Sequence, residues 1–229
     1  MLALATDYAT GSDFGPALTP ITGSTKSPSS STPVRVIEAR EDIFLDGDEA
    51  KHVFEILSGV VCAYRLLPDG ERHIISFYYP GDTIGYLSLD TYTYSAQAVT
   101  PVRVRPVPRA ALERDMQRRP ELARTLLRMA TLELTATRDH LLCVAAKSAE
   151  AKLASFLLAL SRRNAAAGED PEEIRLPMTR LDIADYLGLT IETVSRTMSK
   201  FKRKRLIELP QATQVLIRNV AGLADLSDA

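Results

Sequence analysis

Met178-Thr-Arg-Leu-Asp-Ile-Ala-Asp-Tyr-Leu-Gly-Leu-Thr-Ile-Glu-Thr-Val-Ser-Arg-Thr-Met-Ser-Lys-Phe201 reads as two short helices joined at Gly188. Thr179 is a good N-cap, and Asp182 three residues on completes a short capping pattern, in which side-chain oxygens accept from N–H groups that a first helical turn leaves unsatisfied. Ile183, Ala184 and Leu187 supply an apolar face, and Gly188 can take the left-handed conformation that ends a helix. Leu189 anchors the turn and Thr190 caps the next helix. There Val194, Met198 and Phe201 fall at i, i+4 and i+7 and are expected to face inward. Glu192, Ser195, Arg196 and Ser199 fall on the opposite face. This is the anatomy of a helix-turn-helix, a motif that lays its second helix in the major groove of DNA.

The 229 residues allow one large or two ordinary domains, and 45% hydrophobic content allows a real core. A formal charge of -1 excludes a molecule that is basic throughout. Charge is concentrated instead: from Thr190 to Arg205, six basic residues (Arg196, Lys200, Lys202, Arg203, Lys204, Arg205) face Glu192 alone. Such a run is often a solvated helix end; directly after a helix-turn-helix pattern, phosphate contact is the better reading. Cys62 and Cys143 are far apart with no CxxC, which suits a reducing compartment. The longest strongly apolar run, Leu153 to Leu160, is too short to span a membrane. The N-terminus lacks a basic segment followed by an apolar core, so a cytoplasmic protein is expected.

Residues 1–33 are rich in Ser, Thr, Pro, Gly and Ala and read as a disordered arm. From 34 to 108, β-forming runs (53–57, 60–66, 73–78, 96–100, 102–105) alternate with turn signals. Glycines recur at 47, 59, 70 and 81, and Asp69-Gly70 is a strong hairpin signal. Evenly spaced short strands predict a β-roll or jelly roll. Residues 109–146 turn helical, with Pro120 suited to the first turn of a long helix. One stripe on it is Leu127, Ala130, Leu134, Thr137, Leu141 and Val144; a second is Leu122, Leu126, Met129, Leu132, Ala136 and Cys143. One stripe can pack on the β-roll, and the other then requires a partner. A two-stranded coiled coil is the simplest; burial on both sides within one subunit is the alternative. A further helix over 147–164 precedes an exposed acidic loop, 164–173. Past the helix-turn-helix, 206–210 and 214–218 flank a turn as the wing of a winged helix-turn-helix spanning 147–220, and 221–229 reads as a loose tail. The fold class is α+β.

The order β-roll, long helix, winged helix-turn-helix resembles the cyclic-AMP receptor protein/FNR family of bacterial transcription regulators. Pro80-Gly-Asp-Thr-Ile-Gly85 looks like the family's β-roll signature. Leu187-Gly-Leu-Thr-Ile-Glu-Thr-Val-Ser-Arg196 is very close to the recognition element of its FNR and FixK branches. The resemblance implies that Glu192, Ser195 and Arg196 touch base edges of a palindrome with TTGAT-like half-sites, with Ile191 matching an apolar position that can meet a thymine methyl. Arginine can bridge O6 and N7 of guanine, and glutamate can accept from cytosine N4. Arg180, Thr190, Ser199, Lys200 and Lys202 are the expected phosphate contacts. The resemblance also implies a homodimer on double-stranded DNA, contact with RNA polymerase through 67–72 or 164–173, and control of low-oxygen respiration or nitrogen fixation genes.

Three departures from the family bear on what switches it. Cyclic-nucleotide-binding members carry a Glu after the Gly-Asp-x-x-Gly motif and an Arg-Ser pair for the phosphate; here those positions are Tyr86 and Tyr94-Ser95. An anionic phosphate would be buried without a charge partner, which is costly. Two cysteines cannot supply the four thiolates of an iron–sulfur cluster. Gly85-Tyr-Leu-Ser88 lacks the Cys and His of the haem-binding members, and His52, His73 and His140 show no metal-ligand spacing. No cofactor or metal is therefore expected, as in the FixK type; an unidentified ligand in the β-roll is the alternative. No nucleophile elbow, phosphate loop or paired catalytic carboxylates suggest an enzyme.

Overall fold

The computed structural model describes residues 32–88 and 90–228; the arm expected over 1–33 lies almost wholly outside them. Eight strands build the N-terminal part: β1 (Arg35–Ile37), β2 (Asp42–Phe44), β3 (His52–Ser58), β4 (Val61–Leu66), β5 (Arg72–Tyr78), β6 (Thr83–Ile84), β7 (Ser95–Ala98) and β8 (Val102–Pro108). They form two antiparallel sheets, ordered β1-β8-β3-β6 and β2-β7-β4-β5. Phe54, Ile56, Val102 and Val104 of the first pack with Phe44, Val61, Ala63 and Ala96 of the second. Gly59 shows why its turn needs glycine: its φ is +85°, and a Cβ there would sit 2.3 Å from the Pro101 carbonyl oxygen. The β4–β5 hairpin turns at Asp69-Gly70 as expected, with Asp69 Oδ1 accepting from the Glu71 N–H at 3.0 Å. The short strands β1, β2 and β6 were not foreseen, because two or three residues are too few to show an alternation.

The helical segment is broken once. α1 (Arg109–Arg118) ends at Arg119, whose extended backbone leads into Pro120 at the start of α2 (Pro120–Ala146). Leu122, Leu126 and Met129 pack with Val53, Val107 and Leu112 against the roll. α3 (Ala149–Ala167) follows, capped by Ser148 and ended at left-handed Gly168. Next come β9 (Glu173–Arg175), α4 (Arg180–Leu187), α5 (Ile191–Arg203), β10 (Ile207–Gln211), β11 (Gln214–Ile217) and α6 (Val220–Ser227). Two expectations are corrected here. The acidic loop opens late, because α3 runs on to Ala167, and the segment after it is strand β9, which joins β11 to make the wing three-stranded. The supposed tail is a helix: Asn219 caps α6, and Leu223 is fully buried in the core that α3 also lines. Among the described residues no helix is long and apolar enough to cross a membrane.

The two halves share a core. In β4 the run Val61-Cys-Ala-Tyr64 is buried without alternation: Val61 and Ala63 face the roll interior, whereas Cys62 and Tyr64 join the core of the C-terminal half. Tyr186 of α4 is the meeting point, 5.2 Å edge-on to Phe77 of β5 and stacked 4.2 Å from His140 of α2. Two arginines clamp the rim. Arg72 of β5 donates to Asp182 and, at 3.0 Å, to Asp185. Arg163 of α3 lies 3.9 Å over the Tyr79 ring and 3.5 Å from Asp82 of the Gly-Asp motif.

Burial pushes the His140 imidazole down to about 4, and its Nδ1 has no hydrogen-bond partner. A histidine held neutral in the fold but free to protonate when unfolded stabilises fully above about pH 6.5. That contribution is lost as pH falls from there through about 4. His140→Phe, which keeps the ring stack, is expected to flatten this acid loss by on the order of 2 kcal/mol, read from urea unfolding at pH 7 and pH 5.

Candidate nucleic-acid interface

The interface is built from its caps outward. The Thr179 hydroxyl accepts from the Asp182 N–H at 3.1 Å, and Asp182 Oδ2 accepts from the Thr179 N–H at 2.8 Å, a reciprocal capping box. Burial works to raise the Asp182 carboxyl, but hydrogen bonds from Thr179 and Arg72 outweigh it and hold the group below the usual range. Gly188 ends α4 at φ +60°, and a Cβ there would press on Val144 of α2 at 3.2 Å. Thr190 caps α5 by accepting from the Thr193 N–H at 3.2 Å. Val194, Met198 and Phe201 are buried, which fixes the opposite face of α5 toward solvent.

That face carries Ile191, Glu192, Ser195, Arg196 and Ser199, all exposed. Among the described residues no ion pair joins Glu192 to Arg196, one turn apart; Arg196 reaches toward the Thr193 hydroxyl at 3.5 Å instead. Hydrogen bonds from its own backbone and from Thr190 hold the Glu192 carboxyl below the usual range, so at neutral pH it offers acceptors only. The charged donor and the charged acceptor are both exposed and not paired with each other, so both can turn to base edges.

The expected phosphate residues are placed unevenly. Lys202 is exposed on the same side of α5. The Thr190 hydroxyl is engaged with Thr193. Ser199 donates its hydroxyl to the Ser195 carbonyl at 2.9 Å, so it must rotate to reach a phosphate. Arg180 donates to Ala212 at 3.2 Å and so ties α4 to the tip of the wing. Lys200 hydrogen-bonds Glu150 of α3, a partner fifty residues away that no sequence spacing announces. Beside Arg196 runs a groove of about 400 Å³ lined by Ser148, Glu150, Thr193, Lys200 and Arg203; its α3 wall was missed, because an acidic first turn reads only as favourable helix electrostatics.

On α2, Leu127, Leu134 and Leu141 are 69%, 51% and 65% exposed, an apolar row facing away from the chain's own core. Thr137 is exposed and Ala130 half-buried beside them. Val144 departs from the row: it is half-buried and abuts the Gly188 turn of its own chain, because the helix-turn-helix docks at the end of α2.

Comparison with known proteins places these features. The Crp-like helix-turn-helix domain matches residues 151–226, and the cyclic nucleotide-binding domain matches 34–119. The chain is 39% identical over 192 residues to the nitrogen fixation regulation protein FixK of Azorhizobium caulinodans, covering 83% of this chain and 77% of that protein. It is 39% identical over 178 residues to the transcriptional activatory protein AadR of Rhodopseudomonas palustris, covering 77% and 74%. The solved structure of FixK2 from Bradyrhizobium japonicum matches with a TM-score of 0.81 at 36% identity, over 86% of this chain and 98% of that one.

The second domain match raises a cyclic nucleotide, and the residues do not fit one. Tyr86 donates to Glu133 of α2 at 2.6 Å, and Tyr78 donates to the same carboxylate at 2.9 Å. The Tyr94 hydroxyl accepts from the Gly85 N–H at 3.0 Å, and its ring packs 5.4 Å from Phe44. Neutral phenols stand at both ligand positions, with a carboxylate behind them that would repel a phosphate.

Proposed function

Because the chain belongs to the cyclic-AMP receptor protein/FNR family of transcription regulators, within which it is FixK-like, we propose that it acts as a homodimer reading a palindrome. The observation that carries this reading is the solvent face of α5, where Glu192, Ser195 and Arg196 are exposed and Glu192 and Arg196 are not paired with each other. In a major groove, Arg196 takes O6 and N7 of a guanine, Glu192 accepts from a cytosine N4, and Ile191 lies against a thymine methyl of a TTGAT-like half-site. Arg180, Thr190, Ser199 and Lys202 position the backbone, with Lys200 engaged only after it leaves Glu150. The apolar row Leu127, Leu134 and Leu141 pairs two chains, with Ala130 and Thr137 between them. That pairing sets two α5 helices about 34 Å apart, one turn of DNA.

The roll holds no cyclic nucleotide in this reading, and the regulator binds DNA without an effector. It works in the cytoplasm as an activator, touching RNA polymerase through the hairpin tip 67–72 or the loop before β9. The name of its FixK relative suggests genes of nitrogen fixation, and the family resemblance adds those of low-oxygen respiration.

Footprinting of the purified protein, with no ligand added, on an FNR-type palindrome tests the reading. Arg196→Ala is expected to lose at least tenfold in operator affinity, from a contact worth about 1–3 kcal/mol in each half-site, while weak salt-sensitive binding survives. Unchanged operator affinity removes the base-reading role. Leu134→Glu is expected to give monomers by light scattering; a persisting dimer means that another surface pairs the chains.

A further inference from the structure

Glu150 stands in the basic wall of the groove beside the recognition face. It lies in the first turn of α3, half-buried, and its two oxygens serve two lysines of the chain's basic run: Lys200 hydrogen-bonds Oε1, and Lys204 Nζ lies 3.6 Å from Oε2. Arg196 and Arg203 line the same groove of about 400 Å³. The bond from Lys200 holds the Glu150 carboxyl below the usual range, so the group is a carboxylate at neutral pH. A DNA strand following this wall meets a negative charge between cations.

A lysine strengthens sequence-independent binding by neutralising a phosphate and releasing its condensed counterion. Lys200 and Lys204 already face a carboxylate. To reach a phosphate each must leave Glu150, and the carboxylate so uncovered then repels the phosphates beside it. No ion pair holds Arg196 or Lys202 among the described residues; Glu208, the carboxylate that feels the Lys202 charge, is paired with Arg218. We propose that Glu150 is a brake on sequence-independent DNA affinity: it withholds Lys200 and Lys204 from the phosphate backbone and leaves Arg196 and Glu192 to read bases. The inference rests on the DNA-binding reading above and goes beyond it, because it removes Lys200 from the effective phosphate contacts.

The test is the salt dependence of binding to a random duplex and to the palindrome, measured from 50 to 200 mM salt with the full chain. Each phosphate contact contributes about 0.9 to the slope of log K against log salt. Glu150→Gln is expected to raise random-duplex affinity several-fold and to steepen the slope by about 0.9 per lysine released. Glu150→Asp, which keeps the charge, is expected to follow the parent. Lys200→Gln is expected to leave the parent slope unchanged, yet to lower it by about 0.9 in the Glu150→Gln background. An unchanged slope in Glu150→Gln, or a drop of about 0.9 for Lys200→Gln in the parent, overturns the proposal. The second arm needs no change at Glu150, so it decides even if Glu150→Gln folds poorly. A parent protein that binds no duplex at any salt overturns the function reading and this inference together; parent binding with Arg196-dependent operator preference and the wrong slopes overturns this inference alone.

Discussion

A single buried carboxylate ties the recognition motif to the rest of the molecule. Asp182 is 1% exposed and takes donors from the Thr179 backbone, the Thr179 hydroxyl, Arg72 and Arg40. Two of those donors are what start α4; the other two come from the β-roll. The cap of the first helix and the docking of that helix on the roll are therefore one network. A buried charge left short of donors is expensive, so α4 cannot easily swing away from β5 without also loosening its own N-terminus. Tyr186 adds an apolar pin between Phe77 and His140, and Arg163 grips the roll from α3. The orientation of α5 follows from α4, and the side chains offered to DNA follow from α5.

What could be read in advance was what is local. The capping residues, Gly188 and the i, i+4, i+7 spacing of Val194, Met198 and Phe201 act within a few residues of each other, so the helix-turn-helix was legible down to its exposed face. Asp69-Gly70 announced its hairpin for the same reason. The shared core was not legible. An unbroken run such as Val61-Cys-Ala-Tyr64 says that both faces are covered, but not by what. α6 was missed because its one fully buried residue, Leu223, makes no stripe. Lys200 could be read only as a phosphate contact, because its partner Glu150 lies on another helix. Val144 fitted the heptad spacing of its row, yet the docking of a different element took it.

Aromatic rings line the side of the roll that meets α2. Glu133 sits midway along α2 and receives hydroxyls from Tyr78 and Tyr86, so the roll grips the long helix through groups that belong to the chain itself. The phenols make this connection without a ligand, and the same rings carry none of the positive charge that a cyclic phosphate needs. This supports the proposed effector-free reading, in which the roll serves to hold α2 in place.

The exposed leucines of α2 have a consequence for how such a regulator responds to its own supply. In the proposed dimer, assembly is second order, so while most chains are unpaired the operator-competent species grows with the square of the chain concentration. A twofold change in synthesis then gives about a fourfold change in the DNA-binding form. Unpaired chains meanwhile display Leu127, Leu134 and Leu141 to water, the kind of apolar surface that invites association or capture by quality control. A protein without a ligand switch can in this way obtain a steep threshold from mass action alone, set by the strength of one helical seam.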